Sequence, residues 1–247
     1  MSVLAYARAV VKHRMPRVTR AYRAFQTVNR TVLNRVRSVE SVFTDIYSKN
    51  GWANEETVSG SGSTLESTEA IREQLPLLFR EFGFRALLDA PCGDYHWMRE
   101  TRLDLDAYWG MDIVPEIVAR NAQRYGSQRV RFVKGDLIEG SLPKVDVILC
   151  RDCFNHLSFS AIASALRNFK RSGSGYVLLT TDVYLEEAAD IVNGQSRSLN
   201  LQSAPISLPA PVRLLFDGPK ASLNRNDLDK RVSGRRLGLW KLSDLFQ

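Results

Sequence analysis

The stretch LLDAPCGDYHWM (residues 87–98) is an apolar run that ends in an acid, turns tightly at Gly93 and runs on into a helical pattern. A strand, a tight turn and a helix start in that order place exposed backbone N–H groups opposite a ligand. The strand itself is FRALLD (84–89), and four more β-rich runs follow it: AYWGMD (107–112), VRFVKGD (130–136), KVDVILCRD (144–152) and GYVLLTTD (175–182). Helical patterns separate them, so the spacing predicts βαβ units and a mostly parallel, doubly wound α/β sheet. VRLLFD (212–217) and RRLGLWKL (235–242) lack a long helix between them, which suits an antiparallel pair at the sheet edge. Upstream, Ser63 with Glu66 fits a capping box for a helix through Ile71, Leu75 and Leu78 to Phe82, where Gly83 stops it.

Three successive strands of this set end in acids, Asp89, Asp112 and Asp136. Asp112 comes nineteen residues after Gly93, a spacing that suits a carboxylate accepting the hydrogen bonds of both ribose hydroxyls. Asp136, in GDL, can take the exocyclic amine of an adenine. Together they point to a cofactor that contains a nucleoside. Dinucleotide folds need G-x-G-x-x-G so that a pyrophosphate can approach the backbone. Here Pro91 and Gly93 stand where the first two glycines would be and the third is missing, so a cofactor without a pyrophosphate fits better.

These residues resemble the class I S-adenosylmethionine-dependent methyltransferases, and within them a subfamily with a D-x-P-C-G-D-x-x-W-M first motif. The resemblance runs over about residues 43–245 and includes YSKNGWANEETVSGSGSTLEST (47–68), YWGMDIVPEIV (108–118), CRDCFNHLS (150–158), NGQSRSLNLQSAPISLPAP (193–211) and LWKLSDL (239–245). It implies a Rossmann-like sheet of seven strands with the last antiparallel, and S-adenosyl-L-methionine as cofactor. Carried over by position, Asp89 and Gly93 shape the pocket for the methionine part, Asp112 meets the ribose, and Asp136 with Leu137 meets the adenine. Ser196 stands where the subfamily has a bulky residue and Ile206 where it has an aromatic, both in the segment expected to touch substrate.

Methyl transfer from a sulfonium needs a nucleophile held in line, and a hydroxyl nucleophile also needs a base. Asp152 and His156, in RDCFNH after the fourth strand, are the candidates for orienting the substrate and for the base. Their bland alternatives are a strand cap and a hydrogen bond beside the next helix, whose N-cap would be Ser158 or Ser160. Arg197 and Asn200 lie in a loop-rich insertion, 185–211, where they either bind a polar substrate or cap a turn. Asp152 and Asp182 at unknown separation do not make a metal site, and no metal ligands are assigned. The expected acceptor is a small molecule, saccharide or lipid-linked glycan, methylated at oxygen. A scaffold that binds cofactor without catalysis, and a protein or nucleic-acid methyltransferase, are the alternatives. RDCF occupies 151–154, where enzymes methylating base nitrogens carry N-P-P-[YF].

The 247-residue chain has a formal charge of +7, and that charge is unevenly placed. Residues 1–39 hold nine basic side chains and no acid, which leaves 25 basic and 27 acidic residues, a net of −2, on the body 40–247. A body with that balance offers phosphates little attraction, so nucleic acid is not the expected partner. In 1–39 apolar residues recur every seven positions at Leu4, Val11, Val18, Phe25, Val32 and Val39, with Arg23, Arg30 and Arg37 opposite and Pro16 interrupting. Such an amphipathic helical extension can pack on its own domain or a partner, lie on an anionic membrane, or direct import into an organelle. Cys92, Cys150 and Cys153 read as reduced core thiols and the location as cytoplasmic, peripheral at a membrane if the extension is an anchor. The oligomeric state is left open.

Overall fold

Seven strands form one sheet in the order β3-β2-β1-β4-β5-β7-β6. They are β1 (Ala86–Asp89), β2 (Ala107–Asp112), β3 (Val130–Lys134), β4 (Val147–Cys150), β5 (Tyr176–Asp182), β6 (Arg213–Phe216) and β7 (Arg235–Lys241). The structure, a computed structural model, describes Asn34, residues 37–223 and residues 234–245. Strands β1 to β5 pair in parallel, and β7 runs antiparallel between β5 and β6. Each expected strand is present, shortened at its ends by one to three residues except for β2.

The central strands are buried on both faces, as parallel strands covered by helices must be. All four residues of β4 are buried, and so are three of the four in β1. Alternate residues feed two cores: Leu88, Ile148, Val177 and Leu179 face one side, and Leu87, Val147, Leu149 and Leu178 the other. The four helices among the described residues are α1 (Val39–Ser48), α2 (Glu69–Phe82), α3 (Pro115–Tyr125) and α4 (Phe159–Arg171). Gly83 ends α2 in the left-handed conformation at φ 67°, and the N–H of Phe84 returns to the carbonyl of Phe79 at 2.9 Å. Ser158 caps α4 by accepting from the N–H of Ala161, one of the two caps the sequence offers.

Two boundaries depart from the sequence reading. The capping box at Ser63 and Glu66 does not form; Ser63 sits buried in a 3₁₀ turn (Ser61–Ser63), and α2 starts six residues later at Glu69. Val39, read as the last residue of the basic extension, is the first residue of α1. The heptad stripe before it lies outside the described residues, apart from Asn34 and residues 37–39. No helix among the described residues is long and apolar enough to cross a membrane.

The order 3-2-1-4 reverses between β1 and β4, where the loops leaving the carboxyl ends diverge and open a crevice. One wall of that crevice, the loop after β3, is fixed by Asn168 from α4. Its Nδ2 donates to the carbonyls of Leu137 (3.0 Å) and Gly140 (2.8 Å), and the residue is 3% exposed. Asn168→Ala leaves two partly buried carbonyls without their donor and should cost about 1–3 kcal/mol. A fall of the melting midpoint by about 2–4 °C per kcal/mol, read by scanning calorimetry, checks this.

Candidate active site

Strand β1 delivers Asp89 to the crevice, and the chain then turns back under β2. The N–H of Cys92 reaches the carbonyl of Met111 at 2.8 Å. Gly93 follows at φ 52°, and a Cβ there would collide with Ser59 Oγ, so the turn requires glycine. Its N–H donates to Asp112 Oδ2 at 3.0 Å, and its carbonyl accepts from Asn121 Nδ2 at 2.7 Å. The other oxygen of Asp112 accepts the N–H of Val114 at 3.0 Å. Two backbone donors thus fix this carboxylate and leave further lone pairs on both oxygens. Burial pushes Asp112 up to about 6, against the pull of those N–H groups, and pushes Asp89 up to about 7 although Asp89 accepts a 2.7 Å bond from the Tyr108 hydroxyl. Asp136 accepts the N–H of Ile138 at 2.7 Å.

Asp89, Gly93, Asp112, Asp136 and Leu137 all line one cavity of about 490 Å³. That size lies within the range of about 300–1,000 Å³ usual for small-molecule sites. Acceptors fixed by backbone donors, a turn without a Cβ and an apolar residue beside Asp136 are the donor set a nucleoside-bearing cofactor needs, so the residues fit S-adenosylmethionine.

A loop covers the cavity, and Asp94 ties it down. The Asp94 carboxylate accepts from Thr57 Oγ1 (2.8 and 2.9 Å), Ser59 Oγ (3.1 Å) and the N–H of Val58 (3.1 Å). Glu56 adds a bond from the N–H of Leu65 at 2.7 Å. These anchors hold 56–65 across the crevice, which is why Ser63 lines the cavity instead of starting a helix.

On the opposite side Arg151, Asp152, Asp217 and Arg235 close a ring of alternating charge. Arg151 Nη2 and Arg235 Nε meet Asp217 at 2.8 and 3.1 Å, Arg235 Nη2 meets Asp152 Oδ2 at 2.5 Å, and Arg151 Nη1 lies 3.5 Å from the same oxygen. Arg151 Nη2 also donates to the carbonyl of Gly62 at 2.8 Å and its guanidinium covers the Trp97 ring. Burial alone would raise Asp152, but Arg235 and Arg151 outweigh it and hold the carboxyl at about 2. It is not a proton acceptor near neutral pH. Its Oδ1 is buried and has no hydrogen-bond partner within the protein.

His156 lies on the same cavity wall in a 3₁₀ turn (Phe154–His156). Its Nδ1 is 2.9 Å from the carbonyl of Gln195, which makes Nδ1 the donor and Nε2 the acceptor. Nε2 has only a long contact, 3.3 Å, to Asn155 Nδ2. Trp52 packs against the imidazole with ring centroids 4.5 Å apart. Burial lowers the histidine below its ordinary value, opposed by Asp152.

The insertion places its residues differently from the sequence reading. Asn200 is not on the cavity lining: its Nδ2 donates to the carbonyl of Leu185 across the insertion and its Oδ1 accepts the N–H of Gln202 in a local turn. Arg197 holds its guanidinium over the Phe159 ring, 4.5 Å from the centroid, away from the cavity lining, to which Ser196 contributes. Sequence reasoning missed Asp94, Trp52, and the Arg151, Asp217 and Arg235 members of the ring. The only trace of the ring is an opposite charge at the ends of β4, β6 and β7.

Residues 87–173 match the family described as a methyltransferase domain. No curated protein matches the chain significantly. Among solved structures, magnesium protoporphyrin IX methyltransferase from Synechocystis PCC 6803, crystallised with S-adenosylmethionine, aligns at a TM-score of 0.57 and 12% identity, covering 83% of this chain and 98% of that one. At that identity the likeness speaks for the fold. The N-methyltransferase NodS from Bradyrhizobium japonicum WM9, with S-adenosylhomocysteine, aligns at 0.44 and 16% over 55% and 72% of the two chains. The bacterial CtHen1 methyltransferase domain aligns at 0.41 and 12% over 46% and 65%. The chain thus spans under two thirds of CtHen1's length. The crevice belongs to a Rossmann-like fold. Within it, residues 87–173 are similar to a methyltransferase domain, and the residues lining the cavity fit S-adenosylmethionine.

Asp112→Ala should weaken binding of S-adenosylhomocysteine by at least about tenfold, or 1.4 kcal/mol, in a calorimetric titration. Gly62→Ala should disturb the other end, because a Cβ there would collide with Asp152 Oδ2. We expect it to lower turnover more than cofactor affinity, read by initial rates beside the same titration.

Proposed function

We propose that this chain is an enzyme that transfers the methyl of S-adenosylmethionine to a hydroxyl oxygen of a small molecule, saccharide or lipid-linked glycan. The observation that carries the reading is the tautomer of His156, a cavity-lining residue whose Nδ1–H is spent on the Gln195 carbonyl, leaving Nε2 as an acceptor held only by a 3.3 Å contact from Asn155 Nδ2 that a hydroxyl would displace. An imidazole so placed, and lowered by burial, is neutral at pH 7 and ready to accept a hydroxyl proton. A positioned base contributes about 10²–10⁴-fold.

Bound S-adenosylmethionine supplies a methyl on a positively charged sulfur, already electrophilic. The remaining lone pairs of Asp112 would take the ribose hydroxyls, Asp136 with Leu137 would meet the adenine, and Asp89 with Gly93 would shape the methionine end. Asp152, kept ionised by its two arginines, would orient the acceptor through Oδ1. The cover loop 56–65 would exclude water from the line of transfer.

The location we propose is cytoplasmic, with residues 1–38 lying on an anionic membrane surface. The cut belongs before Val39 because that residue lines the cavity. A chain lacking 1–38 should keep its affinity for S-adenosylhomocysteine and lose binding to phosphatidylserine vesicles. Undiminished vesicle binding, or a truncated chain that no longer folds, would sink the membrane reading.

For the base, the sign follows from the histidine. It must be deprotonated to act, and burial holds it below 6.5, so kcat should rise with pH along a limb centred under 6.5. His156→Ala should lower kcat by about 10²-fold or more, remove that limb and leave S-adenosylhomocysteine binding unchanged. Equal turnover in the variant would return His156 to a packing role.

A further inference from the structure

Trp52 reaches His156 from outside the sheet. It follows α1 on a turn in which Asn50 (φ 46°) and Ala53 (φ 49°) both take the left-handed conformation. The N–H of Gly51 returns to the carbonyl of Ile46 at 2.7 Å and that of Ala53 to the carbonyl of Asn50 at 2.9 Å. Asparagine adopts this conformation readily, whereas alanine does so at a cost that a fold keeps only where neighbours over-determine the chain. Two neighbours hold the tryptophan. The His156 imidazole packs against it with ring centroids 4.5 Å apart and planes at 46°. Gly60 of the cover loop abuts it as well: its φ is 90°, and a Cβ there would lie 3.2 Å from Trp52 Cβ and 3.5 Å from Cγ. Gly60 directly follows Thr57, Val58 and Ser59, which Asp94 ties down. A run of contacts thus leads from the glycine turn through the cover loop and Trp52 to His156.

A base needs a fixed ring plane and, to stay neutral, shelter from water. The single hydrogen bond from Nδ1 to the Gln195 carbonyl leaves the imidazole free to rock about that bond, and a second ring packed against it does not. The charged groups that act on His156 come from the charge ring and the insertion. Asp152 favours its protonated form, and Arg235 and Arg197 oppose it. Asp152 is held at about 2 and the arginines keep their charge, so none of these titrates with the imidazole. Burial is the largest influence on it, and Trp52 is a large apolar contributor to that burial.

We propose that Trp52 is a positioning residue for His156: seated by Gly60, it fixes the imidazole plane against the Gln195 carbonyl and shields the ring from water. The proposal rests on the role of His156 as base given above. It makes the base depend on a segment that precedes residues 87–173.

The test needs no methyl acceptor. The full chain, isotope-labelled at histidine Cε1, is titrated with pH by NMR, and His156→Ala identifies the His156 signal among those of His13, His96 and His156. Trp52→Ala should move the His156 midpoint up by about half a unit or more, because water reaching the ring removes part of the effect of burial while Asp152 stays in place. Trp52→Phe should restore most of that shift. His96, which bonds Glu56 at the edge of the cover loop, should keep its midpoint in both variants. An unmoved His156 midpoint in Trp52→Ala overturns the proposal, as does a shift that Trp52→Phe fails to restore. His96 moving as far as His156 would report a general loosening and overturn it equally. Where Trp52→Ala fails to fold, Trp52→Val removes the ring with less loss of volume and is read in the same way. Calorimetric titration with S-adenosylhomocysteine separates this proposal from the reading beneath it. No binding by the unaltered chain would overturn methyl transfer, and with it the role of the base, whatever the NMR shows. Affinity within about twofold in Trp52→Ala is expected, and a loss of about tenfold would place the indole on the cofactor and overturn the positioning role.

Discussion

The ring of Arg151, Asp217, Arg235 and Asp152 is the constraint on which the cavity depends. Desolvating four charges is expensive, and the mutual attraction repays it only when every partner is present. Asp217 is 1% exposed and Arg151 6%, so removing either one would leave a buried charge without its partner. The ring joins the ends of β4 and β6 to the start of β7, and through the Gly62 carbonyl it reaches the cover loop. It therefore fixes the antiparallel edge of the sheet relative to the parallel part. It also leaves one buried oxygen of an ionised carboxylate unmatched. Fold and chemistry meet in the same four side chains.

The convergence of Asp89, Gly93, Asp112 and Asp136 on one cavity was legible in the sequence because it is local. Asp89, Gly93, Asp112 and Asp136 sit at the ends of consecutive strands, and parallel pairing in register brings consecutive strand ends together. Their positions follow from the period of the strands. The ring was hidden because Arg151, Asp217 and Arg235 are far apart in sequence and meet only when β7 inserts between β5 and β6. Nothing about LFD or SGRR announces a partner 66 or more residues away.

The capping-box reading at Ser63 failed for a related reason. Serine followed by glutamate three residues later is a local signal, and Asp94 overrides it by drawing Thr57, Val58 and Ser59 onto the glycine turn. Asn200 shows the converse. A polar residue in an insertion near a site looks available, yet its own turn takes the Oδ1 and the carbonyl of Leu185, fifteen residues back, takes the Nδ2. His156 lies between these cases: its position after β4 was readable, whereas its tautomer depends on a carbonyl thirty-nine residues away.

The loop 57–63 touches both ends of the cavity, since Ser59 abuts Gly93 at the glycine turn and Gly62 abuts Asp152 and Arg151 at the charge ring. The spacing of the two ends of the cavity is therefore set by one short serine and glycine segment.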